Sequence, residues 1–168
     1  MSITIYDQSI ARMIHMLGNL DRLVSKAEAY AQEKEIEPSA LLQARLFPSM
    51  RNFIFQVQVV TDVSKGFAAR MTATDAPNWS DDEETFEDVH ARIKKALDYL
   101  GTFKPVQFEG TESLDLEIKL GPHTVDFTGQ SYLLGFVLPN IYFHLATAYN
   151  LLRHNGLDIG KRDFLGEI

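Results

Sequence analysis

Ile10, Met13, Leu17, Leu20, Val24, Ala27 and Ala31 follow one another at alternating spacings of 3 and 4 residues. Such spacing puts seven apolar side chains on one stripe of an α-helix, and no strand can gather them on one face. The chain therefore has a long helical seam to bury. The stripe predicts a helix over residues 6–34, with Thr4 and Asp7 as a capping box at its start. The rhythm returns at Met50, Phe53, Val57, Val60, Ser64, Phe67 and Met71. It returns again at Phe86, Val89, Ile93, Ala96, Leu97 and Leu100, and at Leu134, Val137, Ile141, His144, Ala148 and Leu151. Four seams of this length specify a helix bundle.

Between the seams lie the stop and start signals. Pro38 is expected to open a short helix over 39–46, and Pro48 to start the second long helix. Residues 72–80, with Pro77 and the single tryptophan Trp79, form a connector. Ser80 with Glu83 predicts the next capping box, and Asp81, Asp82, Glu83 and Glu84 sit where the helix dipole favours negative charge. Gly101 stops the third helix. The period then changes to 2: residues 114–120 (LDLEIKL) alternate apolar and polar, Gly121-Pro122 turns, and Val125 and Phe127 alternate on the return. A hairpin this small needs helices to pack on. The fourth helix runs from Thr128-Gly129 to His154 and ends at Asn155-Gly156. Inside it, the Pro139 ring meets the carbonyl of Gly135 four residues back, which predicts a kink that reorients Asn140 and His144. Residues 157–168 are expected to lie as a tail on the body, and 1–168 to form one domain.

The formal charge of −7 makes phosphate backbones and anionic lipid surfaces poor partners, so neither nucleic acid nor membrane is expected. Without cysteine there is no thiolate nucleophile and no cysteine-bound zinc. No apolar run approaches the roughly 18 residues of a membrane span, and a cytoplasmic location is expected. Nucleotide-binding glycine loops and the G-x-S-x-G elbow are missing from the sequence. The acidic stretch after Ser80 lacks the glycine and alternating ligands of a calcium loop, and reads as a solvated helix start.

Two features point further. His144 falls on the apolar seam of the fourth helix, with Asn140 one turn earlier. It is either a core histidine satisfied by an amide or tyrosine, or an imidazole used for metal binding or proton transfer. The remaining histidines, His15, His90, His123 and His154, are scattered over separate elements. The second and fourth helices also carry surplus apolar residues, Phe55 and Val59 on one, Leu138, Tyr142, Leu145 and Tyr149 on the other. The tail, the short helix after Pro38 or a second copy of the chain can cover them. A two-fold homodimer is expected, with outward-facing Asp62 and Lys65 bordering the contact.

The run Phe127-Thr128-Gly129, Tyr132-Leu133, Pro139-Asn140, Phe143-His144, Ala148-Tyr149, Leu152-Arg153-His154-Asn155-Gly156, Gly160-Lys161 and Asp163-Phe164-Leu165-Gly166 resembles a bacterial family of unknown function within the DinB/YfiT-like superfamily. Leu41-Leu42, Ala44-Arg45-Leu46, Pro48, Gln56-Val57-Gln58, Asp62 and Lys65 match it too, so the resemblance spans nearly the whole chain. It implies an all-α four-helix bundle of up-down-down-up course, here with a small β-hairpin inserted before the last helix, and often a dimer. Metal-binding members of the superfamily use one histidine from the second helix and two, four residues apart, from the fourth. By that resemblance the fourth-helix pair falls on Asn140 and His144. The second-helix ligand falls near Gln56 or Gln58, and Gln56 lies nearer the seam. One histidine of three survives, and amides are weak ligands for zinc or nickel. The expectation is a degenerate metal site without a cofactor. Gln56, Asn140 and His144, joined by Tyr132 and Tyr142, then form a pocket for a small polar ligand or a structural cluster. The alternative is a metal-dependent hydrolase or transferase that keeps a divalent zinc or nickel ion and acts on a small molecule through His144.

Overall fold

The computed structural model describes residues 3–167. All seven residues of the first stripe are buried, and they belong to α2 (Ile10–Glu33). The helix does not run unbroken from residue 6. Ser9, at φ −115° and ψ −86°, separates α2 from a four-residue helix α1 (Ile5–Gln8), and the Thr4–Asp7 capping box belongs to α1. The Ser9 hydroxyl donates to the Ile5 carbonyl at 2.6 Å, a local bond that competes with continuous helix.

The other starts also shift. α3 (Pro38–Leu42) opens on its proline but ends before residue 46. Its Leu41 and Leu42 are buried, whereas Leu46 is exposed and gives the helix nothing to continue for. α4 (Phe53–Met71) is started by Asn52 rather than Pro48, the Asn52 side-chain oxygen accepting from the Phe55 N–H at 3.0 Å. α5 (Phe86–Gly101) is capped by Thr85 and Asp88, not by Ser80 and Glu83. Two 3₁₀ turns follow, Pro105–Phe108 and Thr111–Ser113. The hairpin pairs β1 (Asp115–Leu120) with β2 (His123–Thr128) antiparallel, Leu116 opposite Phe127 and Ile118 opposite Val125. It docks through buried Ile118 and through Phe127, whose ring lies 5.5 Å from Tyr132 and 6.4 Å from Phe136.

The last long helix is built in three pieces: α6 (Gly129–Tyr132), a π turn (Leu133–Val137) and α7 (Leu138–His154). The proline strain is absorbed by the π turn, in which the Leu138 N–H donates to the Leu133 carbonyl five residues back. Widening by one residue relieves the ring of Pro139 without relying on Gly135, where an added Cβ would meet nothing within 4 Å. Gly156, at φ +99°, ends α7 as the Asn-Gly pair predicts. The tail forms α8 (Lys161–Leu165), which packs on α2. Asn19 on α2 donates to the Phe164 carbonyl and Lys26 pairs with Asp163.

The course of the bundle follows from which residues meet. Tyr6 reaches Phe103, while Asp21 and Glu28 meet His90, so α2 and α5 are antiparallel. Gln58 meets Glu83, Thr61 meets Arg92, and Phe67 stacks on Phe108, so α4 and α5 run the same way. Gln56 meets His144 and Arg70 meets Tyr132, so α7 returns against α4. The result is up-down-down-up. Two successive parallel helices oblige the connector to run back along α4, about 28 Å for its 19 residues.

A buried ion network fastens that connector. Arg92 is 1% exposed; its guanidinium sits 2.7 Å from Asp81, 2.9 Å from Glu83 and 3.0 Å from Asp62, and donates to Thr61 and the Ser80 carbonyl. Burial alone would lower the Arg92 pKa, but Glu83, Asp62 and Asp81 outweigh it and the net direction is upward. Lys65 pairs with Asp62 at 2.7 Å and lies over the Trp79 ring at 4.2 Å. Lys65 therefore does not face outward, being covered by the connector, whereas Asp62 pairs with Arg92 and Lys65 and keeps its side chain 41% exposed. The acidic stretch is not a helix start, since α5 begins at Phe86; Asp81, Asp82 and Glu84 are exposed, and Asp81 and Glu83 serve as counter-ions of Arg92.

Candidate functional site

Gln56 is the fourth residue of α4, where the seam turns it inward; it is 2% exposed. Its carboxamide nitrogen donates to the Arg51 carbonyl at 3.0 Å and the Asn52 carbonyl at 3.1 Å. Two acceptors on that side fix which end of the amide is nitrogen, so its oxygen faces His144 Nδ1, 2.7 Å away. An amide oxygen only accepts. Nδ1 therefore carries the proton and donates, and Nε2 keeps its lone pair. The ring is half-buried between Phe55, edge-on at 6.2 Å, and Phe143, edge-on at 5.1 Å. Arg51 lies over the Phe55 ring at 5.2 Å. Desolvation pushes the His144 pKa below its ordinary value, so the imidazole is neutral at pH 7.

That shift has a measurable consequence. Between the His144 pKa in the folded state and about 6.5 in the unfolded chain, the unfolded state binds more protons, so stability falls as pH drops through this window and is fully present above it. Urea unfolding between pH 7.5 and pH 5 should show a loss that His144→Gln reduces. An identical pH profile in the variant would show that His144 is not buried in this way.

Of the residues singled out in the sequence, Gln56 and His144 are brought together. Asn140 lies one turn before His144 on α7, half-buried, and its carboxamide has no hydrogen-bond partner among the described residues. Tyr132 is at the far end of α4, accepting from Arg70 at 3.2 Å and stacked on Phe67 and Phe136. Burial raises the Tyr132 pKa, with Arg70 pulling it back. Tyr142 is half-buried against the core. Gln58 turns outward to Glu83 at 2.7 Å. Phe55 and Phe143 flank the imidazole, a role that one-stripe reading of each helix did not reveal.

A divalent metal does not fit this donor set. Both ends of Gln56 are engaged, leaving one imidazole nitrogen and one neutral carboxamide where zinc needs three protein ligands. Among the described residues, no three His, Cys, Asp or Glu side chains converge as such an ion requires. What the arrangement offers instead is a single oriented acceptor, Nε2, beside a free amide and two aromatic edges.

A family model for a domain of unknown function, DUF1993, matches residues 5–165. The chain belongs to this DUF1993 family. Its fold is similar to the crystal structure of a DinB family member protein from Shewanella denitrificans, with TM-score 0.89 and 35% sequence identity over 97% of this chain and 92% of that one. No curated protein matches. The DUF1993 chain is thus a DinB-like bundle. None of its described helices is long and apolar enough to cross a membrane.

Proposed function

We propose that this DUF1993 protein is a small-ligand-binding module that works without a metal, as a homodimer, with His144 Nε2 as the acceptor that recognises a hydrogen-bond donor on a small polar molecule. The observation that carries the reading is the locking of Gln56 by the Arg51 and Asn52 carbonyls, which sets the His144 tautomer in advance. Asn140 supplies a second donor and acceptor, and Phe55 with Phe143 supplies apolar walls. The test begins with ¹⁵N spectra of the histidine rings and metal analysis of the purified protein. A proton on Nδ1 and no stoichiometric zinc or nickel are expected; stoichiometric metal overturns the reading. Mixtures of small alcohols, amides and carboxylic acids should then shift the His144 ring signals in the native chain. If none does, the cluster serves only to hold α4 against α7.

A second reading has an observation of its own. A neutral imidazole whose Nδ1–H is held by an amide oxygen is also the arrangement of a general base. Under this enzymatic reading His144→Gln abolishes turnover of a bound molecule while leaving its binding within a few-fold. Binding and turnover lost together would assign His144 to recognition alone.

The dimer rests on the surplus apolar faces. Leu145 is buried, and Tyr149 is covered by the tail, donating to the Ile159 carbonyl and meeting Phe164 edge-on. Phe143, 58% exposed, and half-buried Val59 have no such cover, and half-buried Phe55 has Arg51 over its ring. Burying a side chain of this size is worth about 1.5–3 kcal/mol. Light scattering at micromolar concentration should give twice 19.0 kDa, and Phe143→Asp should shift the mass toward 19.0 kDa. A wild-type mass of 19.0 kDa across that range refutes the dimer.

A further inference from the structure

A second concavity of the bundle is remote from His144. It is a cleft of about 430 Å³ between α1, the two 3₁₀ turns and the start of the last long helix. That volume is in the range of small-molecule sites. Phe67 stacks on Phe108, which lines the cleft, and lies eleven residues beyond Gln56, so the two sites are about 16 Å apart along α4. The lining is mixed: Ile3, Ile5, Pro105 and exposed Leu134 give it apolar surface over a floor of buried Phe108 and Leu133, and Thr4, Gln8 and Gln130 give it neutral polar groups. Leu133 and Leu134 belong to the π turn, a feature that occurs often at functional sites.

The charged lining is of one sign. Glu109 and Glu112 are exposed, and neither is in an ion pair among the described residues. Gly110, at φ +76°, turns the chain between them, a conformation that keeps both glutamates on one short turn. No lysine, arginine or histidine lines the cleft among the described residues. Elsewhere on this chain carboxylates at the connector have a cation of their own, as Asp62, Asp81 and Glu83 have Arg92. A cleft with apolar side chains on one part of its wall and two carboxylates on another, neither in an ion pair among the described residues, complements a small organic cation with an apolar body. The ammonium would meet the glutamates, and the hydrocarbon would cover Ile3, Ile5, Pro105 and Leu134. The formal charge of −7 attracts such a cation over longer range.

We propose that this cleft is a second binding site, selective for small aryl- or alkylamines. The probe is 2-phenylethylamine, followed by amide NMR on the full chain at low salt, with 2-phenylethanol and 3-phenylpropanoate as neutral and anionic counterparts. Saturable shifts at Tyr6, Gly110 and Gln130 are expected with the amine, weaker ones with the alcohol and none with the acid. The double variant Glu109→Gln/Glu112→Gln should keep its melting temperature, both side chains being exposed, and bind the amine roughly fivefold more weakly. Leu134→Ala should weaken amine and alcohol alike. Equal binding of all three probes, shifts centred away from the cleft, no saturable shift with the amine, or unchanged affinity in the double variant would each overturn the proposal.

Discussion

Arg92→Ala is expected to remove about 3–5 kcal/mol of unfolding free energy. The variant leaves Asp62, Asp81 and Glu83 facing one another with only Lys65 to balance them, and Glu83 is itself largely buried. It also strips Thr61 and the Ser80 carbonyl of their donor. At roughly 2–4 °C per kcal/mol for a chain of this size, the melting temperature should fall by about 10 °C. The loss has a local signature. Trp79 lies between Lys65 and Arg92, 4.2 Å and 5.8 Å from its ring, and is the only tryptophan. Its fluorescence should report release of the connector at lower urea than circular dichroism reports loss of helix. A loss below about 1 kcal/mol, or coincident unchanged transitions, would show that the network contributes little.

Gly129→Ala should be nearly as damaging for one added methyl group. Gly129 opens α6, its N–H donating to the Leu114 carbonyl at 2.8 Å. A Cβ there would run into the Thr111 carbonyl oxygen and come within 2.7 Å of the Met71 terminal methyl. The methionine can move aside. The carbonyl cannot, because it accepts from the Leu114 N–H and holds the turn that leads into β1. About 3 kcal/mol of overpacking cost is expected, with the hairpin unseated first. Gly135→Ala is the control: with open space around the site, it should change stability by less than about 1 kcal/mol. Equal effects of the two substitutions in urea unfolding would contradict this placement of Gly129.

The candidate site was half legible. His144 and Gln56 could be paired from the resemblance, because a position on or beside the apolar seam of each of two helices is a one-dimensional property. Tyr132 illustrates the limit. It is on the same helical run as His144, yet twelve residues of helix carry it about 18 Å along the axis to Arg70. Which carbonyls hold Gln56, and hence which nitrogen of His144 has the proton, depends on the backbone of Arg51 and Asn52 just before α4, where no periodicity applies.

Periodicity by itself determined the four long helices, the hairpin and most of the core, since removing an apolar stripe from water is the main force that drives folding, and the stripe depends only on spacing along the chain. Helix starts were decided by structure: Pro48 and the Ser80–Glu83 pair had suitable local chemistry, but Asn52 and Thr85 had it at the points where the seams meet the core. The polar connector was decided wholly in three dimensions. In sequence, Asp81 and Glu83 look like dipole-favoured residues at a helix start, Lys65 and Asp62 like outward-facing residues at the border of a contact, and nothing marks Arg92 as buried. Folding α5 parallel to α4 draws the connector back across them, and within that interface a buried guanidinium is tolerable only with carboxylates around it. Pairing as distant along the chain as Asp62 with Arg92 leaves no periodic trace, so only the packed bundle reveals it.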